Sequence, residues 1–399
     1  GEVVRGGGGE VRGVLVRAKG GVMEVGARGL VATSGDIGAR HRAGARFLGL
    51  DEQDSLQPAT MMFRLGPIDF AQFSAMPLAQ MQALSQQGYA SGALARAALH
   101  ASRDPDSNDG WFNISRLALD ATDALALGQA EMEGRQQAWR AAEFLRQHVP
   151  GCADGRLRAF ATQVGIRETR RVAGDHVLTA PELLAPQHFD DHIALGAYPI
   201  DIHAAQGSGL VYEALGDDHF YQIPYRSIVP ESLDNTLVAG RGISATHAAL
   251  AAIRVMTISM AVGHASGLAA ALAVQTTDGE PGRTEVKELQ RRLVADGGLL
   301  RCAHHLPSPA GFFARVVAAP SHSIAPGRLP RRAKSSAVMP CSFFMAVSAP
   351  SSSSSFTDSP LPYMAAIISG VVPLGDCASM KAWASSSCFM IVSWPVVAA

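Results

Sequence analysis

The residues best placed to do chemistry lie where a short apolar run, residues 236–239, ends in Gly240, Arg241 and Gly242. Ser244 follows, and a long alanine-rich segment comes next. A strand, a glycine loop and a helix in this order bring free backbone N–H groups and a partial positive charge to one point. The pattern therefore predicts contact with an anionic or electron-rich ligand. A purely structural strand–helix junction is the open alternative.

Other residues in this part of the chain could serve the same ligand. Arg226 and Arg254 would add hydrogen-bond donors to that of Arg241. Gly263 and Gly267 lie four residues apart, which allows a helix to pack closely against a strand or a ligand. For Arg226 a surface salt bridge is the alternative.

Two histidines are the candidates for proton transfer, His203 and His247. A free histidine has a pKa of about 6.5, which suits general acid–base work. Asp201 precedes His203 by two residues and would share its face on a strand, where it could orient the imidazole. For both histidines the alternative is a hydrogen bond that only supports the fold.

Three arginines cluster at positions 167, 170 and 171. They could bind an anionic substrate, but the neighbouring Glu168 and Asp175 favour an ion-pair network.

The elements that position these residues mix strands and helices. Alternating or short apolar runs predict strands, and apolar residues near 3.6-residue spacing predict helices, so the fold class is α/β or α+β. The predicted strands include residues 11–17, 22–25, 29–33, 158–165, 219–229 and 235–239, and the predicted helices include residues 117–148, 248–274 and 284–296.

Composition excludes several classes of protein. The chain has 399 residues, of which 47% are hydrophobic, so a sizeable core is available. The formal net charge of -1 gives no basic excess for a nucleic acid. No apolar run is long enough to predict a membrane span, and none of the five cysteines forms a C-x-x-C pair. We therefore expect neither nucleic acid, membrane nor metal as a partner.

Blocks of unusual residue types follow one another over about residues 10–300. They are residues 10–44, 130–135, 165–171, 174–179, 198–203, 224–227, 237–241, 243–247, 254–256 and 263–267. Together these blocks resemble those of a family of bacterial FAD-dependent oxidoreductases with a two-dinucleotide-binding-domain type of FAD fold.

The resemblance implies a Rossmann-like FAD/NAD(P)-binding domain of the α/β class, into which an α+β substrate domain is inserted. It implies FAD as the cofactor and hydride transfer between a small-molecule organic substrate and the flavin. Catalytic roles would fall to His203, His247 and Arg226. Cofactor contacts would fall to Asp36, Gly240, Arg241, Gly242, Ser244, Gly263 and Gly267.

The chain departs from the family pattern in two places. Residues 6–9 form a glycine run, but neither a strand before it nor a helix after it completes a Gly-x-Gly-x-x-Gly turn. In the element at residues 32–38, an inserted Ser34 shifts Gly35 and Asp36. We therefore expect an N-terminally truncated FAD domain. Three hypotheses stay open: a flavoenzyme, a non-catalytic remnant, and a subunit whose missing half is another chain.

The domain organisation expected from these patterns has four parts. Residues 1–60 and 221–300 would form the incomplete FAD-binding domain, and residues 61–220 the inserted substrate domain. Residues 301–399 are rich in Ser, Pro and Ala and lack a sustained period, so we expect a non-native or disordered tail.

Overall fold

The structure is a computed structural model that describes residues 2–7, 10–49, 55–185, 187–205, 207, 209–216 and 219–301, and the backbone of 345–346 and 389–393. Within these residues, helices and mostly antiparallel strands are mixed. The strands are β1 (Glu2–Arg5), β2 (Val11–Ala18), β3 (Gly21–Gly26), β4 (Leu30–Thr33), β5 (Phe47–Leu48), β6 (Phe63–Gly66), β7 (Ala101–Arg103), β8 (Gly110–Phe112), β9 (Arg156–Phe160), β10 (Arg171–Val172), β11 (His192–Gly196), β12 (Ile200–His203), β13 (Leu210–Glu213), β14 (Tyr221–Pro224), β15 (Thr236–Val238), β16 (Met345–Ala346) and β17 (Phe389–Ser393).

Side chains at the helix starts explain where several helices begin. Asp123 accepts a hydrogen bond from the backbone at the start of the fourth helix, and Thr246 does so for the sixth. Thr179 and Glu182 form the capping box that their spacing predicts. The helices are α1 (Gly38–Arg42), α2 (Phe70–Ser74), α3 (Leu78–Ala90), α4 (Ala124–His148), α5 (Ala180–Leu184), α6 (His247–Ile253), α7 (Met256–Thr276) and α8 (Val286–Ala295).

A sheet with parallel pairing carries the loop after β15. Its order is β15-β4-β17-β16, with β15 and β17 both parallel to β4 and β16 antiparallel to β17. The side chains of β15 and the first three of β4 are buried, as expected for strands covered on both faces. The strands predicted at residues 29–33 and 235–239 are therefore confirmed. Apart from Arg301, β16 and β17, the predicted tail lies outside the described residues.

Two large apolar cores divide the described residues. One combines Val31 with residues between Leu178 and Leu300, and α7 supplies eleven buried residues to the structure. The other contains only residues between Ala59 and Val164, drawn from β6, β8, α4 and the loops around them, with β7 and β9 packed against it. Separate cores are the usual mark of separately packed units. The boundary predicted at residue 220 stays a prediction.

The first strands form a three-stranded antiparallel sheet in the order β1-β2-β3. β2 and β3 pair as the hairpin that the strands predicted at residues 11–17 and 22–25 imply, but the turn is at Lys19 and Gly20, one residue earlier than the two adjacent glycines predict. Val11 and Val14 are buried with Leu30 in a small apolar cluster of their own. The hairpin therefore leads the chain into β4.

Several sequence predictions need correction. The single helix expected over residues 248–274 is two helices, because the backbone of Val255 is extended between α6 and α7. The strand expected over residues 219–229 is only β14, followed by a 3-10 turn at Tyr225–Ser227. The strand expected at residues 158–165 lies earlier, as β9. In each case tertiary contacts override a local preference.

One described helix, α7, is long and apolar enough to cross a bilayer, with a mean hydropathy of 1.5. Most of this segment is buried within the protein, against β11, β4 and β15. Length and composition alone therefore carry no membrane assignment, since the core helix of a globular protein meets the same criteria.

Candidate functional site

The loop after β15 needs its two glycines for different reasons. Gly240 has φ 75° and a Cβ there would meet open space, so the need is conformational. Gly242 is needed for close packing, because a Cβ would lie 2.1 Å from Cδ1 of Ile37. Together they fix Arg241 in a 3-10 turn beside the end of β4.

Arg241 is buried and only partly paired. Its Nη2 lies 3.3 Å from Oδ1 of Asp36, whereas Nε and Nη1 have no hydrogen-bond partner among the described residues. Gly35 makes room for the guanidinium, since a Cβ there would approach Nη2 to 2.3 Å. Burial lowers the pKa of Arg241, and the Asp36 carboxylate opposes that shift. The site thus holds buried N–H donors that lack a protein acceptor.

Asp36 is held from a second side by the segment before β10. Its Oδ1 accepts a hydrogen bond of 2.9 Å from the hydroxyl of Thr169, and its carbonyl accepts one of 3.4 Å from Arg170. Two residues later α1 begins, and its Arg40 is wholly buried with all three guanidinium nitrogens unpartnered. Burial lowers the pKa of Arg40 to about 9.

A buried ion cluster lies next to this loop around Glu168. The side chain of Glu168 is 0% exposed, and its Oε2 lies 2.8 Å from Nδ1 of His247. Arg171 places Nε 3.4 Å from the other carboxylate oxygen and donates from Nη1 to the carbonyl of Ala245 at 2.7 Å. The backbone N–H of Gln57 also donates to Glu168, at 3.3 Å. We call these three side chains and the Gln57 N–H the Glu168 cluster.

A second cluster forms on β12 around Asp201. His203 Nε2 lies 3.4 Å from Asp201 Oδ2, so the two side chains share a face as their spacing predicts. Tyr198 donates its hydroxyl proton to the same oxygen at 3.2 Å. Arg254 donates to the Asp201 carbonyl at 3.1 Å and lies 3.7 Å from the carboxylate. We call these four residues the Asp201 cluster.

The charges around Asp201 shift two pKa values. Burial would raise the pKa of Asp201, but the hydrogen bond with His203 and the charge of Arg254 outweigh it, so the pKa lies below its usual range. Burial lowers the pKa of His203, Asp201 opposes this, and the charges of Arg167 and Arg96 add to the lowering. His203 is therefore a neutral imidazole at pH 7, able to accept or donate a proton.

Gln57 connects the two clusters. Its backbone N–H donates to Glu168, while its side-chain oxygen accepts from the backbone N–H of His203 at 3.4 Å. The amide nitrogen Nε2 of Gln57 is buried and has no partner. The structure thus brings together Asp36, Arg241, His247 and His203, all expected from the sequence to serve one site.

Other expected site residues lie in different surroundings. Arg226 is half exposed and pairs with Asp191 at 3.0 Å, and among the described residues it shares no partner with either histidine. Ser244 is wholly buried, and its hydroxyl accepts from the backbone N–H of Gly174 at 3.1 Å. Gly263 lies on α7 with open space at its Cα, and Gly267 lies one turn later and is partly buried.

The three arginines at positions 167, 170 and 171 have three different partners. Arg171 pairs with Glu168, Arg170 reaches the Asp36 carbonyl, and Arg167 donates to the Pro58 carbonyl at 2.6 Å. Asp175, expected to take part in this network, instead lies near the charges of Glu231 and Arg226. Within the described residues, no three His, Cys, Asp or Glu side chains group to hold a metal ion.

Sequence reasoning did not single out Gln57, Arg96 or Arg116 as site residues. None of them belongs to a motif, and they reach the site from a unit with a separate core. Arg254 did carry a signal, since it stands in the Arg-Val-Met block at the point where the two helices separate.

Comparison with known proteins agrees with the chemistry of the site. The family of FAD dependent oxidoreductases matches residues 2–293 of the chain. No curated protein and no solved structure matches it. The resemblance found in the sequence is thus confirmed over most of the chain, and it implies a Rossmann-like α/β fold. The chain belongs to the FAD dependent oxidoreductase family, whose cofactor is FAD.

Proposed function

We propose that the protein transfers a hydride between a small organic substrate and FAD, with Arg241 on the cofactor side and His203 on the substrate side. The observation that carries the proposal is the pair of unpartnered guanidinium nitrogens on buried Arg241, beside a glycine loop at the end of a parallel strand. Ligands of α/β folds bind at this end of the strands.

The residues present fit the cofactor. Arg241 and Arg40 offer two and three buried nitrogens that lack an acceptor, and FAD brings phosphate oxygens and ring carbonyls. Gly240 leaves open space where a side chain would otherwise stand. Arg241, Arg40 and Gly240 would therefore hold FAD, which supplies the hydride acceptor when bound.

His203 is the group that would move the substrate proton. As a neutral imidazole it can take a proton from a donor substrate, and the Asp201 carboxylate stabilises the resulting cation. Asp201 is itself oriented by Tyr198 and Arg254, so the ring is held in one position. Asp201 acts here as a positioning residue.

His247 is assigned a different role from the one the sequence suggested. Its Nδ1 faces a wholly buried carboxylate that also pairs with Arg171. Such a cluster holds the 168–171 segment against the loop after β15, where Arg241 lies. We propose that His247 positions Arg241 through this packing and does not itself exchange protons with the substrate.

The separate core between Ala59 and Val164 supports a substrate unit. It brings Gln57 and Pro58 at its start, and Arg167 at its end, to the Asp201 cluster. We propose that this unit covers the substrate, while β4, α1 and residues 172–300 hold the cofactor.

The experiment is a visible absorption spectrum of the full chain before and after excess FAD, followed by desalting. Flavin absorption that stays with the protein supports the proposal, and Arg241→Gln should then lower the retained fraction at least about tenfold. Arg283→Gln is the matched control, because Arg283 is exposed and pairs only with Glu280. A wild-type chain that retains no flavin contradicts the proposal and favours the non-catalytic remnant or the two-chain hypothesis.

A further inference from the structure

Four arginines converge on the Asp201 cluster from three parts of the chain. Arg254 lies between α6 and α7, and Arg167 follows the residues of the second core. Burial lowers the pKa of Arg96 and the charge of Asp201 opposes that shift, so Arg96 lies near Asp201. The charges of Arg96 and Arg116 both lower the pKa of Arg167. Burial, together with these like charges, lowers the pKa of Arg167 to about 9, so the group is still a cation at pH 7.

Only one of these arginines has a carboxylate partner among the described residues. Arg254 pairs with Asp201. Arg167 is 4% exposed and donates only to neutral acceptors, the Pro58 carbonyl and the side chain of Asn113. Arg116 donates to the carbonyls of Ala204, Gly207 and Gly209, and Arg96 enters no salt bridge with a described residue. Uncompensated positive charge in a buried place is unfavourable without an anion.

Two further donors at the same place have no acceptor within the part of the chain that the structure describes. Gln57 is 2% exposed, and its Nε2 is unpartnered beside the backbone of His203. Nε of Arg254 is also buried without a partner. Both groups can only donate, so the partner they lack is an acceptor. The surplus of positive charge and the unpaired donors therefore both favour an anionic ligand that accepts hydrogen bonds.

We propose that Arg96, Arg167, Arg254 and Gln57 bind a carboxylate group of the substrate next to His203. A guanidinium donates two parallel hydrogen bonds to a planar carboxylate, which fixes orientation as well as charge. This inference deepens the proposed function, on which it rests for the identity of the site. It names the substrate class as small organic acids.

The test measures thermal unfolding of the full chain at constant ionic strength. The protein is titrated with three carboxylates, which are acetate, succinate and benzoate. Parallel titrations use the neutral amide of each acid. At least one carboxylate should raise the unfolding midpoint saturably, whereas its amide should not. Arg96 is only half buried. Arg96→Gln should raise the apparent Kd for that carboxylate at least about tenfold. Arg158→Gln, on the exposed side of β9, should leave the Kd unchanged.

Two results with the wild-type chain overturn the inference. Either no acid is distinguished from its amide, or inorganic phosphate stabilises the chain saturably while all three carboxylates fail. Arg167→Gln serves as a second variant, and a folded protein with an unchanged Kd also contradicts the site. Flavin retention is measured on the same preparation. Carboxylate binding without flavin retention removes the proposed function alone, and flavin retention without carboxylate binding removes this inference alone.

Discussion

The Glu168 cluster and the Asp201 cluster are built alike but differ in the balance of charge around the carboxylate. Each joins a histidine and an arginine to one carboxylate, and Gln57 contacts both. Around Glu168 the carboxylate is wholly buried, with Arg171 beside one oxygen and His247 beside the other. Around Asp201 the arginines outnumber the carboxylate among the described residues. A cluster with one arginine for its one carboxylate stabilises the fold, whereas a cluster with surplus arginines can bind an anionic ligand.

The largest effect should come from Glu168→Gln. The change removes the anion beneath Arg171 and His247 and leaves buried charge unpaired, so the free energy of unfolding should fall by about 3–5 kcal/mol. Urea unfolding measures it. Glu133→Gln is the control, because its salt bridge with Arg140 is half exposed and should be worth less than about 1 kcal/mol. A loss as small as that of the control would show that the Glu168 cluster does not support the fold.

Asp201→Asn should cost less stability and should change the histidine instead. Asn keeps an acceptor for Tyr198, so we expect a loss of about 1–3 kcal/mol. Because Asp201 opposes the lowering of the His203 pKa, its removal should lower that pKa further. A histidine-selective NMR titration measures the shift. An unchanged His203 titration would mean that Asp201 does not position the ring electrostatically.

His203→Gln should alter the pH dependence of stability. The unfolded chain binds a proton on His203 at the ordinary pKa of about 6.5, whereas the folded chain binds it only at lower pH. The unfolded state therefore binds more protons below pH 6.5, and this group lowers stability as the pH falls through that range. The variant should show a shallower loss between pH 6.5 and 5. Parallel curves for variant and wild type would contradict this assignment.

The smallest effect should come from Arg226→Gln. Arg226 pairs with Asp191 on the surface, so the free energy of unfolding should fall by at most about 1 kcal/mol. Flavin retention and carboxylate binding should stay at wild-type levels. A large drop in flavin retention or carboxylate binding would support the catalytic role that the resemblance implies for Arg226. It would also show that the two clusters are not sufficient to describe the site.

Local signals in the sequence were enough for β4, β15, the β2–β3 hairpin and the capping box at Thr179. They failed at Arg254 and Val255, where an alanine-rich segment continues but the backbone turns extended and Arg254 reaches Asp201. No local propensity encodes that contact. Gln57, Arg96 and Arg116 were missed for the same reason, because they join the site only through long-range packing. Asp201 and His203 were found because a strand period of two places them on one face.

The two bonds of Gln57 have a thermodynamic consequence. One residue contacts Glu168 through its backbone and His203 through its side chain, so an anion that draws on its free amide also acts on the segment that holds Arg241. The coupling free energy between the two binding sites is reciprocal. By whatever factor the acid changes the affinity for the flavin, the flavin changes the affinity for the acid by the same factor. Titrating either ligand in the presence of the other measures this linkage directly.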